Sequence, residues 1–328
     1  MSARAYTGCF VLAVAAVAAC VRATPASGPL TRVDPLGLPV GALRVMSFNI
    51  RYGTAPDGSN AWSLRRPLAL RVIRDFSPAV LGLQEALRSQ LDDIAHALPW
   101  FGEVGVGRND GVGTGEYAAI LYDRQRLTLL AQGWFWLSDT PEVPASMTWG
   151  NRYPRIVTWA RLADRVTGEA FIAFNTHWDH ESQAARENSA HLLVQRIDAR
   201  PVPEDPVLLL GDLNCADDNP AFATLTAGQF SESFRAIHPS ASAGTGTFHG
   251  FRGNRDGAKI DFVLVSPLLM PAGSPSDRDA TQGKGWQVLE ADIVRTNEGR
   301  RYPSDHFPVT ATLLISNAGA IFPMPPAR

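Results

Sequence analysis

The chain has 328 residues, 45% of them hydrophobic and 19% charged, which supplies a large core and excludes a chain disordered by composition. Its formal net charge of −2 disfavours a protein that holds polynucleotides mainly through their phosphates, and it leaves room for an enzyme that meets one phosphate at a time. The cysteines, Cys9, Cys20 and Cys215, allow no disulfide framework and no thiolate metal site in the folded part, where Cys215 reads as a small buried filler.

Arg4 precedes an apolar run from Phe10 to Ala19, shorter than the roughly 20 residues that cross a bilayer. Val17, Ala18, Ala19 and Cys20 resemble a bacterial lipoprotein box. Residues 1–19 are therefore expected to be an export signal, with Cys20 lipidated and the membrane engaged through that lipid. Cleavage at nearby small residues, with release, is the alternative. Residues 20–41 read as a Pro/Gly-rich tether, 42–316 as one domain and 317–328 as a loose tail.

Within the domain, Leu43–Ile50 reads as a strand ending near Asn49. Ser63–Phe76 has helical apolar spacing, with Arg65, Arg66, Arg71 and Arg74 as its solvated face. A short strand, Ala79–Leu83, delivers Gln84 and Glu85, and Leu87–Leu98 reads as a second helix. Glu103–Gly115 is glycine-rich but lacks the Gly-Lys-Ser/Thr ending of a P-loop, so it is read as a flexible lip beside a site. Tyr117–Tyr122 and Leu127–Leu137 read as a strand pair, the latter placing Trp134 and Trp136 on one face as core. Ile156–Leu162 and Ala170–Asn175 are strands, and the second runs into Thr176, His177, Trp178, Asp179 and His180. A helix to Ile197 follows, with Leu192, Leu193 and Val194 inward, and Phe222–Ile237 is weakly helical. Ile260–Val265, Trp286–Val294 and Val309–Ile315 complete the strands. Alternating helical and strand patterns predict an α/β fold.

The run Val207–Leu210 suits a strand buried on both faces, and Asp212 and Asn214 follow two residues apart, so both side chains leave on one side. An ordinary Asx turn would use the same residues. Other strand ends carry similar groups: Asn49, Glu85, His177, Asp261, Asp305 and His306. Carboxylates and carboxamides suit a hard cation such as Mg²⁺ or Mn²⁺, and histidines among them suit proton transfer near neutral pH.

Six blocks carry a resemblance: SFNI at Ser47–Ile50, LQE at Leu83–Glu85, NTH at Asn175–His177, GDLN at Gly211–Asn214, IDF at Ile260–Phe262 and SDH at Ser304–His306. In this order they are similar to the endonuclease/exonuclease/phosphatase (DNase I-like) superfamily. The segments Pro154–Trp159 and Thr247–Phe251 look like those of small bacterial members of unassigned substrate. The resemblance implies a four-layer α/β sandwich, two packed mixed β-sheets flanked by helices. It implies Glu85, Asn49 and Asp305 as metal ligands or holders of metal-bound water. Asp212 would activate water, Asn214 and His177 would contact the phosphoryl group, and His306, held by Asp261, would contact phosphate or assist proton transfer.

The expected function is an exported, metal-dependent phosphoester hydrolase with phosphodiesters first, acting as a monomer. Nucleases and sphingomyelinase-like enzymes of the same fold are alternatives, with nucleic acid allowed but not favoured by the charge. A non-catalytic, lipid-anchored binding protein is the alternative from another class. Abasic-site endonucleases have a metal-associated aspartate where this chain has Arg51, which argues against that activity. Arg155 and His180 could face the site or serve as a salt bridge and a helix start. Trp149 and Trp178 are expected to be packed rather than stacked on substrate.

Overall fold

The computed structural model describes residues 37–227, 229–267 and 284–317. The export signal, Cys20, the start of the tether and the end of the tail lie outside these residues. In chain order the elements are β1 (Leu43–Asn49), α1 (Trp62–Phe76), β2 (Val80–Ala86), α2 (Arg88–Ala97), β3 (Phe101–Val104), β4 (Tyr117–Asp123), β5 (Leu127–Trp136) and β6 (Ile156–Asp164). They continue with β7 (Ala170–His177), α3 (Gln183–Asp198), β8 (Val207–Asp212), α4 (Pro220–Thr226), β9 (Ser231–Glu232), α5 (Ser233–Ile237), β10 (Asp261–Val265), β11 (Lys284–Ile293) and β12 (Val309–Asn317).

Two mixed sheets of six strands each form, in the orders β11-β12-β1-β2-β4-β3 and β5-β6-β7-β8-β10-β9. Strand alternation explains how they stack. Val45, Val80 and Ile120 of the first sheet meet Phe171, Leu208, Leu210 and Val263 of the second in the central core. On the outer side of the first sheet, Met46, Phe48 and Leu81 pack on Leu68, Val72, Leu91 and Ile94 of α1 and α2. Val207, Leu209 and Phe262 turn outward from the second sheet onto Leu193 of α3 and Phe222 and Leu225 of α4. The run Val207–Leu210 is unbroken because both of its faces are covered. Helix, sheet, sheet and helix are the four layers expected.

Four local readings need correction. β4 and β5 do not pair: β4 lies between β2 and β3, while β5 pairs with β6 in the other sheet. The short link between them crosses the sandwich, where Arg126 is bound to Asp164 at the end of β6 (Nε–Oδ1 2.6 Å). The segment read as a lip begins inside strand β3. The weak helix read over 222–237 is α4 and α5 with β9 between them; Asn219 and Glu232 cap the two helices through backbone N–H groups. Arg65 is not on a solvated face but fully buried. Among the described residues, no helix is long and apolar enough to cross a membrane.

Candidate active site

Strand pairing places the polar strand ends side by side. In β8, Asp212 has His177 as its parallel partner in β7 and Asp261 as its antiparallel partner in β10. From the first sheet, Asn49 ends β1 beside Gln84 of β2. Ser304 ties the loop before β12 to this end of β1 by donating from Oγ to Asn49 O at 2.7 Å. All eight residues singled out in the sequence gather at this end of the sandwich.

Three backbone turns aim them. Arg51, Glu85 and Asn214 have φ of 55°, 59° and 48°, left-handed values that non-glycine residues adopt at a cost of about 1–3 kcal/mol each. At Glu85 the turn belongs to a β-bulge: Leu83 pairs with Ala119 and Ala86 with Tyr117, so two residues of β2 oppose one of β4.

The side chains interlock. Asn49 Nδ2 donates to Glu85 Oε1 at 3.1 Å and to Asp212 Oδ2 at 2.9 Å, bridging the two sheets. Asp212 Oδ1 accepts from Asn214 N at 3.0 Å. Both His177 Nε2 (3.7 Å) and His306 Nε2 (3.8 Å) face Asp212 Oδ2. His306 Nδ1 lies 2.9 Å from Asp261 Oδ2, so the ring's other nitrogen is directed at Asp212. The start of β10 is steadied by Thr247 Oγ1, which accepts from Ile260 N and Asp261 N, and by buried Lys259, which donates to Asp261 O at 2.8 Å. Asn214 donates one N–H to Trp178 O at 3.0 Å; its carboxamide has a second.

Protonation follows from burial and neighbours. Burial, then the charge of Asp261, pushes the Asp212 carboxyl up to about 7, against the opposing pull of His306. Burial disfavours charge on His306, but Asp261, Asp212 and Asp305 outweigh it and hold the ring well above its ordinary value, hence protonated. Burial, reinforced by Arg155 and Arg108, holds His177 well below, hence neutral. Burial raises Asp305, and Glu85 adds to the rise.

Two groups could hold a cation. Asp212, Asp261 and His306 offer ligand atoms all within 4.8 Å of one another. In that group His306 Nδ1 already bonds Asp261 Oδ2, while Asp261 Oδ1 is buried without a hydrogen-bond partner. Glu85 and Asp305 are hard oxygen donors on either side of the Arg51 guanidinium (3.9 and 3.7 Å); burial, with a smaller contribution from Glu85, raises Asp305, and a divalent cation would favour its charged form. The donor set fits Mg²⁺ or Mn²⁺. Asn49, as placed, presents its amino group rather than its oxygen to these carboxylates.

Glu85, His177, Asp212, Asn214 and His306 line a cavity of about 630 Å³ together with Arg51, Arg108, Arg155 and His180. Arg155 serves both roles considered for it: its guanidinium stands in the cavity wall, 3.4 Å from Asp179 and 2.9 Å from His180 Nδ1. Because arginine only donates, His180 Nδ1 is the acceptor and the ring's proton lies on Nε2. Trp178 is fully buried, and Trp149 packs against the outer cluster of the second sheet. Tyr52, Arg108, Glu116, Tyr153 and Phe248 also line the cavity and were not singled out as site residues. Arg108 lies within the glycine-rich segment and Glu116 directly follows it; the segment's composition hides their 2.7 Å ion pair.

The Endonuclease/Exonuclease/phosphatase family model matches residues 46–306. An endonuclease/exonuclease/phosphatase from Bacteroides vulgatus is 31% identical, with 84% of this chain and 99% of that chain covered and a TM-score of 0.73. A mannosyl-6-phosphatase from Bacteroides thetaiotaomicron is 30% identical, with 83% and 99% covered and a TM-score of 0.70. An uncharacterized protein of Acanthamoeba polyphaga mimivirus is 28% identical over 197 residues, 57% of this chain and 72% of its own. The family match covers most of the chain, and the same residues build the cavity, so this chain belongs to the endonuclease/exonuclease/phosphatase family.

Proposed function

We propose that the protein is a metal-assisted phosphoester hydrolase acting on small substrates. The observation that carries this reading is the arrangement around Asp212, a buried carboxylate oriented by two N–H donors, facing two histidines and lining a cavity. Asp212 takes a proton from the attacking water, and a carboxyl poised near neutrality suits that task. The water oxygen bonds phosphorus as the ester P–O bond breaks. His306, protonated and oriented by Asp261, gives the departing alkoxide its proton, while His177 and Asn214 hold phosphoryl oxygens. Glu85 and Asp305 would hold the divalent cation, which supplies charge stabilisation to the phosphoryl group. Similarity to a mannosyl-6-phosphatase makes sugar phosphates the first substrates to try.

The test is turnover of a panel of sugar phosphates, inositol phosphates, sphingomyelin, DNA and RNA with Mg²⁺ or Mn²⁺. Asp212→Asn is expected to lower kcat by about 10³-fold or more with unchanged circular dichroism, and chelation to abolish turnover. Full activity in Asp212→Asn would remove this reading.

A further inference from the structure

We propose that the site is built for the dianion of a phosphomonoester and that Arg51 selects it, an inference that rests on the hydrolase reading and narrows its substrate. Arg51 leaves the end of β1 in a left-handed turn and is gripped by Asp57, with Nε 3.2 Å from Oδ2 and Nη2 3.1 Å from Oδ1. The Tyr52 ring lies 4.7 Å from the guanidinium carbon. Nη1 makes no hydrogen bond among the described residues and stands 3.9 Å from Glu85 Oε2, while Nε is 3.7 Å from Asp305 Oδ2. The guanidinium is therefore a fixed positive charge at the edge of the carboxylate pair that suits a cation. It lines the same cavity as Asp212, Asn214 and His306.

The charge at this point decides between ester classes. A phosphodiester carries one negative charge and a monoester near neutral pH carries two. An aspartate in place of Arg51 would change the local charge by two and oppose the extra charge of the monoester. An arginine favours it, and its free N–H groups match a phosphoryl oxygen that a diester would have esterified. Arg108 and Arg155, both buried in the cavity wall and paired with Glu116 and Asp179, add positive charge, and Arg108 Nε and Arg155 Nη1 make no hydrogen bond among the described residues; Arg51 differs from them in standing beside Glu85 and Asp305. Asp57 is the anchor for Arg51 and leaves Nη1 for the ligand.

The experiment compares p-nitrophenyl phosphate with bis(p-nitrophenyl) phosphate, using the purified protein with Mg²⁺. Wild type is expected to prefer the monoester by about 10²-fold in kcat/KM, and Arg51→Gln to erase most of that preference by lowering monoester turnover alone. Arg51→Lys keeps the charge and should keep part of the preference. A binding readout separates selection from chemistry. In the Asp212→Asn background, calorimetry should show inorganic phosphate binding at least about tenfold tighter than dimethyl phosphate, a difference that Arg51→Gln removes. Diester preference in wild type, equal losses on both esters in Arg51→Gln, or Arg51→Lys as impaired as Arg51→Gln would overturn the assignment of Arg51 and leave the hydrolase reading standing. Turnover of neither ester would remove both.

Discussion

Arg65 shows how much one side chain can organise. It extends from α1 into a fully buried position and donates to Asn60 O, Ile50 O, Arg51 O and Pro303 O at 2.6–3.0 Å. Burial lowers its pKa to about 10, so it stays charged at neutral pH. Those four carbonyls belong to the segment that follows β1 and to the loop that carries Asp305 and His306. Arg65→Ala would leave them without their donor and is expected to cost about 4 kcal/mol, read as a lower denaturation midpoint at unchanged m-value. A change below about 1 kcal/mol, the size of a surface substitution, would show that the guanidinium does not join the two segments. At Asp212 the relevant readout is pH. Only the carboxylate can accept a proton, so kcat/KM should fall as pH drops through the carboxyl's pKa, about 7 without metal. A divalent cation nearby favours the carboxylate and moves this acid limb to lower pH. A wild-type profile with no acid limb from about pH 7 downward would take the base role away from Asp212.

Among the elements, β2 carries the most consequence. Its bulge turns Glu85 towards the cavity and interrupts pairing with β4. The opposite sheet compensates: Asn175 of β7 donates to Leu83 O at 2.9 Å and to Ala119 O at 2.8 Å, and its Oδ1 accepts from Gln84 Nε2 at 2.6 Å. Gly82 makes the approach possible, since a Cβ there would lie 2.8 Å from Asn175 Oδ1 and 2.9 Å from Leu210 Cβ. Asn175→Leu is expected to cost about 3 kcal/mol through unsatisfied buried groups and to lower activity by disturbing Glu85. Thermal unfolding together with cation titration checks both parts; wild-type stability with wild-type cation affinity would show the contact to be dispensable. Asn175 stood in the sequence only as the first letter of a block leading to His177. Its role depends on contact between two sheets, and no periodicity within one strand reveals that.

For the molecule as a whole, the α/β class was legible because strand and helix periods are local, while the four layers were legible through the family resemblance of six blocks that lie at strand ends, where side chains leave the core. The sequence did not reveal that β4 and β5 part into different sheets, since a short turn between two apolar runs looks the same whether it closes a hairpin or crosses a sandwich. Nor did it reveal the burial of Arg65, because an arginine on a helical face reads as solvated until the loops that cover it are in place. The direction of β1 has a further consequence. Its first residue, Leu43, pairs with Leu313, and its last, Asn49, bonds into the cavity. Seven residues of strand separate these poles by roughly 20 Å. Anything that tethers the chain ahead of Leu43, such as the lipid expected on Cys20, would attach at the end of β1 opposite Asn49. The cavity would then lie at the end of the domain remote from the attachment, with its lining left clear of it.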